Sequence, residues 1–522
     1  MSESTKLTPS QKRAFEVFKD GHNIFLTGKG GSGKSFLTRH IINYCNENER
    51  SVIVCAPTGI AAINVGGATI HRTFKAPVRI IKPSDYLYLK DISPEERARL
   101  CDKAKKEQEK LDVIRKADVL IIDEISMCRL DLFGYVARTL LNYEGKPKQV
   151  LLVGDFYQLP PVLSNKTGEL NAWELIDEYA GKIFAFESEE WKLLNIRTIE
   201  LTENMRQKDE VFIKALDDIR EGIPNFAPFR KKQFPLRDAI TLCPNNAMAS
   251  VENRSQLYKL LGMCVKHQCF EEEVSGELSD SCDSDVEKYR VTSKRLELCV
   301  GARVIVLVND KDGAYVNGDM GEITDLDETS IEVLLDKGRI IILNKYTWSI
   351  QEYQMVEKKN KTTGKKEKVP SLVEIGTIKQ IPVKLAWAIS VHKSQGQTYE
   401  KCNIKCGFWA AGQMYVALSR CRSLGGLRIL GELRENELLC SESVKSFMMQ
   451  TSIESNLIEV TEINEGAKHP QTVKNPRGAG RKPKSDQSSV RKNLLRLTDD
   501  EKKLIEMYRN SEEFRKKLRE IM

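Results

Sequence analysis

The sequence predicts an α/β protein. It has two parallel-sheet domains, a small helical wedge-like insertion in the first, a small β-barrel inserted in the second, and an appended C-terminal unit. Three observations predict this. Apolar runs of strand length alternate with helical segments along most of the chain, which is the pattern of parallel sheets. One such run, Ile24-Phe25-Leu26, enters a glycine-rich turn that opens a helix (GKGGSGKS, 28–35). Residues 302–350 then break the alternation with short strands and Gly turns (ARVIVLVND, GEITDL, IEVLL, GRIIIL).

Taken in order, Thr8-Pro9-Ser10-Gln11 starts a helix, with Thr8 as N-cap, Pro9 at its first position and Gln11 closing a capping box. Strands are expected at 23–27, 51–56, 118–123 and 149–154, within a first domain spanning 1–195. A Lys/Glu-rich helical insertion interrupts it at 75–116. The second alternating set comprises a strand at 198–202, a helix near 209–221 and strands at 239–243, 382–390, 401–406 and 427–430. It defines a second domain of 196–301 and 376–440, with the barrel inserted at 302–375. The acidic run 271–287 reads as a mobile loop, and 358–368, with six lysines around Gly364, reads as a hairpin tip. Residues 441–489 read as a linker, basic from about 474, and 490–522 as a strand-helix-helix accessory unit.

Composition bounds the function. Charged residues are 30% and apolar ones 41% of the 522, and no run reaches the roughly 18 apolar residues of a membrane span. The first residues, MSESTKLTPSQ, carry neither an apolar core nor an Arg-rich amphipathic pattern, so a cytoplasmic, nucleoid-associated or viral setting is expected. Thirteen scattered cysteines suit reduced thiols better than a disulfide framework. Residues 470–522 hold 15 Lys/Arg against 8 Asp/Glu, which is the whole net charge of +7; the other 469 residues hold 66 of each sign. A polyanion partner is therefore read from local grooves and the tail, not from bulk charge.

The chemistry starts at 28–35. Backbone N–H groups of Gly28, Lys29, Gly30, Gly31, Ser32 and Gly33, together with a helix N-terminus, cradle phosphates. Lys34 reaches the β- and γ-phosphates and Ser35 offers its hydroxyl to Mg²⁺. Asp123 and Glu124 end the strand VLIID, where Asp123 holds Mg²⁺ and Glu124 orients and deprotonates the attacking water. Asp155 and Gln158 (LLVGDFYQLPPV) end another strand, where a Gln beside a γ-phosphate senses it. Arg206 (ELTENMRQ) and Arg420 (YVALSRCRS) suit arginine fingers. The expected cofactors are ATP and Mg²⁺.

These segments, with APTGIAAINVGGATIHRTF and AWAISVHKSQGQTYE, occur in the order of the superfamily 1 helicase motifs. More narrowly, they resemble the petite-integration-frequency (Pif-type) family of the superfamily 1B, 5′-to-3′ branch. SMCRLDLFGYVARTLLNYEGKPKQVLLVGDF resembles that family's signature. The resemblance covers about Thr8 to Leu433. It implies two RecA-like P-loop NTPase domains and a DNA-stimulated ATPase that unwinds DNA in replication, repair or recombination, including telomere maintenance at family level. Without a long N-terminal extension the chain resembles prokaryotic or viral members. By position, Gln11 would contact adenine, and Pro57, Thr58, Gly59, Thr69 and His71 would touch single-stranded DNA. His392, Lys393, Ser394, Gln395, Gly396 and Thr398 would couple DNA to ATP, with Gly396 on the nucleotide side. Where the family often has Arg after a proline, this chain has Asn245. A RecD-like or phage-type helicase remains an alternative, as does a non-catalytic DNA-binding assembly factor with a relic ATPase fold. The expected partners are single-stranded and forked or structured DNA, with no membrane.

Cys264, His267, Cys269 and Cys282 have an irregular spacing that leaves zinc and free thiols open. PRGAGRKPK (476–484) is expected either to follow phosphates or to act as a solvated linker. The unit 490–522 is too short to bury a core alone, so it is expected to dock on the body, dimerise or fold on DNA.

Overall fold

The computed structural model of the chain describes residues 7–83, 85, 112–141, 148–163, 169–230, 234–237, 239–281, 283–287, 289–359 and 366–452. Most of the expected insertion (86–111), the lysine-rich hairpin tip (360–365), Cys282, most of the linker and the whole C-terminal unit lie outside the described residues. Residues Met1–Ser441 form one compact unit and Glu442–Met522 another; of the second, 442–452 are helical.

Six strands form an all-parallel sheet: β1 (Ile24–Gly28), β2 (Val52–Ala56), β3 (Ala68–Thr69), β4 (Val119–Ile122), β5 (Gln149–Val153) and β6 (Arg197–Leu201). Their order is β3-β2-β4-β5-β1-β6. β1 lies between β5 and the edge strand β6, with Ile24 opposite Leu151 on one side and Arg197 on the other. Every residue of β1, β4 and β5 is buried, which is why these strands read as continuous apolar runs. Helix α1 (Pro9–Lys19) is started by the expected capping box: the Thr8 hydroxyl accepts from the Gln11 N–H at 3.4 Å and Gln11 Oε1 from the Thr8 N–H at 3.0 Å. Its Ala14 and Phe18 pack with Leu37 and Ile41 of α2 (Lys34–Glu47) against Ile24, Leu26 and Leu151.

A second parallel sheet has the order β18-β7-β19-β20, from β7 (Ile240–Cys243), β18 (Ala388–Ser390), β19 (Cys402–Lys405) and β20 (Leu427–Leu430). Its core is continuous with a five-stranded antiparallel sheet of β11 (Arg303–Val306), β12 (Met320–Leu326), β13 (Ser330–Leu335), β14 (Ile340–Asn344) and β17 (Val383–Leu385). A long hairpin, β15 (Tyr346–Lys359) and β16 (Lys366–Gln380), follows. Tyr353 of this hairpin accepts a hydrogen bond from the Val54 N–H at 2.8 Å, and Arg72 pairs with Glu352 at 2.9 Å, so the hairpin is anchored to the first sheet.

Three expectations change. The strand expected at 198–202 is β6, which pairs with β1 at the edge of the first sheet and not with the second set. The inserted strands form the expected small β domain, with the antiparallel order β14-β13-β12-β11-β17. The single strand expected at 382–390 is two: β17 joins the antiparallel sheet and β18 the parallel one. The acidic run 271–287, expected as a mobile loop, contributes β9 (Glu273–Gly276), which pairs with β16, and among its described residues Leu278 and Val286 are only 3% and 4% exposed.

Candidate active site

β1 delivers the chain into the glycine-rich turn, and Gly28, Gly31 and Gly33 all adopt positive φ. At Gly31 a Cβ would lie 2.5 Å from the Cβ of Arg206, and at Gly33 2.5 Å from the Gln11 amide nitrogen. The turn is thus closed against α1 and the segment after β6 at positions where only glycine fits. Lys34, at the start of α2, turns its ammonium back to donate to the carbonyls of Gly28 (2.5 Å) and Lys29 (3.2 Å). In front of the turn lies a cavity of about 820 Å³ lined by residues 30–36, Arg39, Glu124, Gln158, Met205, Arg206, Lys208, Asp209, Gly396, Thr398, Arg420, Arg422 and Ser423. Of the expected nucleotide ligands, Gln11, Gly28, Lys29 and Asp123 are outside this lining.

Asp123 and Glu124 follow β4 at the carboxyl edge of the sheet. Glu124 has φ +52°, a left-handed conformation rarely adopted by a residue with a side chain, and it aims the carboxylate into the cavity. Burial, then the neighbouring Asp123, pushes the Glu124 carboxyl up to about 7, with Lys34 and Arg420 opposing. Burial also raises Asp123, although its Oδ1 accepts the Glu124 N–H at 2.9 Å. Burial lowers Lys34 against the charges of Asp155 and Glu124.

β5 leads through Gly154 to Asp155 and Gln158. Asp155 is buried; Gln158 Nε2 donates to its Oδ2 at 3.3 Å, and Arg220 Nη2 pairs with its Oδ1 at 3.1 Å. Arg220 ends the Glu210–Arg220 helix, whose Phe212, Leu216 and Ile219 belong to the core of the second sheet, and its guanidinium lies 4.2 Å from the centre of the Tyr157 ring. Gly412, which starts the Gln413–Ser419 helix, has φ +70°, and a Cβ there would come within 2.5 Å of the Gln158 carbonyl. The loop that would sense a γ-phosphate is therefore packed against the helix that carries Arg420.

The two expected fingers converge. Arg206 Nη1 donates to the Ser419 carbonyl at 3.1 Å, and Arg420 donates to the Val416 carbonyl at 2.9 Å and the Ser419 hydroxyl at 3.0 Å. Burial and then Arg420 lower Arg206 to about 9, and burial lowers Arg420. Two desolvated guanidiniums beside the glycine-rich turn make a strong anion site.

Sequence reasoning missed several partners. The Gly30 N–H donates to the Tyr415 hydroxyl at 3.0 Å, Lys29 pairs with Asp217 at 2.7 Å, and Gln207 Nε2 donates to the carbonyls of Ser419 (3.2 Å) and Cys421 (3.1 Å). Arg220 did leave a signal: it lies four residues from Leu216 and eight from Phe212, a charge on the buried face of an amphipathic helix.

The expected nucleic-acid residues form two groups. Thr58 caps α3 (Gly59–Val65) by accepting from the Ala61 N–H at 3.3 Å, and Thr69 caps α4 (Ile70–Thr73), which carries His71, by accepting from Arg72 at 3.3 Å; Pro57 precedes the first cap. Beyond β18, a 3₁₀ turn spans His392–Ser394 and continues through Gln395. Gly396 and Thr398 line the cavity in front of the glycine-rich turn. Asn245 caps the Asn246–Leu261 helix, accepting from the Met248 N–H at 2.9 Å. Cys269 accepts from Arg295 at 3.0 Å, and no cluster of three metal-ligating side chains occurs among the described residues.

A family model described as PIF1-like helicase matches residues 6–227. The chain is 31% identical over 437 residues to the ATP-dependent DNA helicase Pif1 of Campylobacter jejuni, covering 79% of this chain and 90% of that one. It is 29% identical over 453 residues to the human ATP-dependent DNA helicase PIF1, covering 82% of this chain and 61% of that one. Among solved structures, Bacteroides sp Pif1 in complex with ADP-AlF4 superposes with a TM-score of 0.71 at 30% identity, over 87% of this chain and 99% of that one. Bacteroides Pif1 bound to ssDNA does so with a TM-score of 0.56 at 30% identity, over 87% and 98%.

Proposed function

The chain belongs to the PIF1-like helicase family, and from that premise we propose that it is an ATP-dependent helicase that moves 5′ to 3′ along single-stranded DNA and unwinds forked or structured duplexes. The observation that carries this reading is the single cavity in which the glycine-rich turn, Glu124 and Gln158 meet Arg206 and Arg420. ATP fits there with its phosphates on the N–H groups of 30–33 and on Lys34. To reach them, Lys34 exchanges the carbonyls of Gly28 and Lys29 for phosphate oxygens, and Gly30 exchanges the Tyr415 hydroxyl.

The hydroxyl of Ser35 and the carboxylate of Asp123 are hard oxygen donors. They match the one or two protein ligands typical of a Mg²⁺ that is otherwise held by phosphates and water. Such an ion, when bound, neutralises charge on the β- and γ-phosphates. Glu124 takes the proton of the attacking water; a carboxyl poised near 7 is well matched to that task at neutral pH. Arg206 and Arg420 spread the charge that develops on the transferred phosphoryl group.

Gln158 reads the γ-phosphate. Its partner Asp155 passes the state to the second sheet through Arg220, while Gly412 passes it to the finger helix. The caps Thr58 and Thr69 on one side and His392–Gln395 on the other grip the strand in alternation. The first grip offers backbone and small hydroxyls and the second the Lys393 ammonium, groups that touch phosphate without reading bases. In a turnover assay, wild type should hydrolyse ATP faster with single-stranded DNA added, and Lys34→Ala should lose hydrolysis. Wild-type turnover indifferent to DNA would refute the reading.

A further inference from the structure

The loops that leave the carboxyl ends of β7, β18 and β19 emerge on one edge of the second parallel sheet. They carry Pro244, His392 and Trp409 respectively. Trp409 is 55% exposed, whereas Trp173, Trp191 and Trp348 are buried and Trp387 packs partly buried against the core. Its indole lies parallel to the His392 imidazole, with centroids 5.9 Å apart and 23° between planes. Burial lowers the pKa of His392, so the ring beneath the indole is neutral at physiological pH.

The loop is pinned. Gly407 and Phe408 donate their N–H groups to one oxygen of Glu437 at 3.0 and 3.2 Å. The Trp409 N–H donates to Gln413 Oε1 at 3.0 Å, and Gln413 donates to the Pro244 carbonyl at 2.7 Å. With the Phe408 side chain buried as an anchor, the indole is held in solvent by a rigid loop. Positive charge follows His392 directly in the chain: Lys393 is exposed.

We propose that Trp409, backed by His392, is a stacking platform for one base of the bound single strand, with Lys393 receiving an adjacent phosphate. This rests on the reading of the chain as a DNA translocase. A lone flat π-face beside a cation matches the repeating unit of a single strand, a base and a phosphate. It does not match a protein partner, which would need a broad apolar patch. Stacking is indifferent to base identity, so the platform adds grip without sequence preference.

The test uses the full chain and an oligothymidylate, with tryptophan fluorescence and half-maximal stimulation of ATP turnover as readouts. Wild type should show quenching that Trp409→Phe largely lacks, since Trp409 is the most exposed of the five tryptophans. Trp409→Ala should weaken binding and raise the half-maximal DNA concentration about 5- to 150-fold, the range of one base–aromatic stack. Trp409→Phe should stay within about 3-fold of wild type. A strand of abasic sites should lose the same factor with wild type and little with Trp409→Ala, a comparison that removes the base without altering the protein. Equal affinity of wild type and Trp409→Ala, with DNA-stimulated turnover intact, overturns the platform alone. Absence of any DNA stimulation in wild type overturns the platform together with the reading it rests on.

Discussion

Replacing Arg220 with alanine would strand a charge. Asp155 is fully buried, and without Arg220 its carboxylate keeps the Gln158 amide at 3.3 Å and the Tyr157 N–H at 3.2 Å. Burial works against the Arg220 charge, yet Asp155 together with Tyr415 and Glu200 more than offsets it and holds the guanidinium above its ordinary pKa. Removing one partner of a buried pair typically costs about 3–5 kcal/mol, because the other charge remains desolvated. The lost stack on Tyr157, 4.2 Å away, adds to this. The second contact, to the partly exposed Glu200 at 3.5 Å, contributes little. At roughly 2–4 °C per kcal/mol the melting temperature should fall by about 6–20 °C. Arg220→Met with Asp155→Asn removes both charges and should recover most of that loss. It should not recover DNA-stimulated ATP turnover, because the link from Gln158 to the second sheet is gone. Calorimetry of the two variants, with turnover measured on the same samples, separates the two effects. An Arg220→Ala melting temperature within about 2 °C of wild type would refute the reasoning.

Glu124, raised from its ordinary 4.5 to about 7, should give an ATP kcat/KM that rises with pH through that value; a profile flat from pH 5 to 8 would sink its role as base. The same shift makes its contribution to stability full below pH 4.5 and lost as pH rises towards 7, so activity and this part of stability move in opposite directions. Arg206→Ala and Arg420→Ala should each lose about 10³–10⁵ in turnover with ATP binding retained, and lysine should not rescue either; tight loss of nucleotide binding instead would recast them as binding residues. Tyr415→Phe frees the Gly30 N–H from a competitor worth about 0.5–1.5 kcal/mol, so equilibrium titration should show ATP bound about 2- to 12-fold tighter, and weaker binding would mean that Tyr415 supports the nucleotide directly.

The glycine-rich turn, the acidic pair after β4 and the Asp155–Gln158 loop were legible because each is contiguous and its chemistry depends on local spacing. Sheet membership was not. The period of an apolar run identifies β6 as a strand, but only pairing with β1 places it at the edge of the first sheet. The run 271–287 misled by its charge: Leu278 and Val286, eight residues apart, are its buried anchors, and surrounding acids mask them. The Arg220–Asp155 pair joins residues 65 apart, from different elements, and neither has a sequence motif that names the other.

The measurement that tests the central claim most directly is strand displacement with ATP on three duplexes carrying a 5′ tail, a 3′ tail or none. The account predicts unwinding of the 5′-tailed duplex, loss of that activity in Glu124→Gln with DNA binding retained, and little activity on the other two. Equal unwinding of the 3′-tailed duplex would contradict the polarity, and unwinding by Glu124→Gln at the wild-type rate would contradict the site.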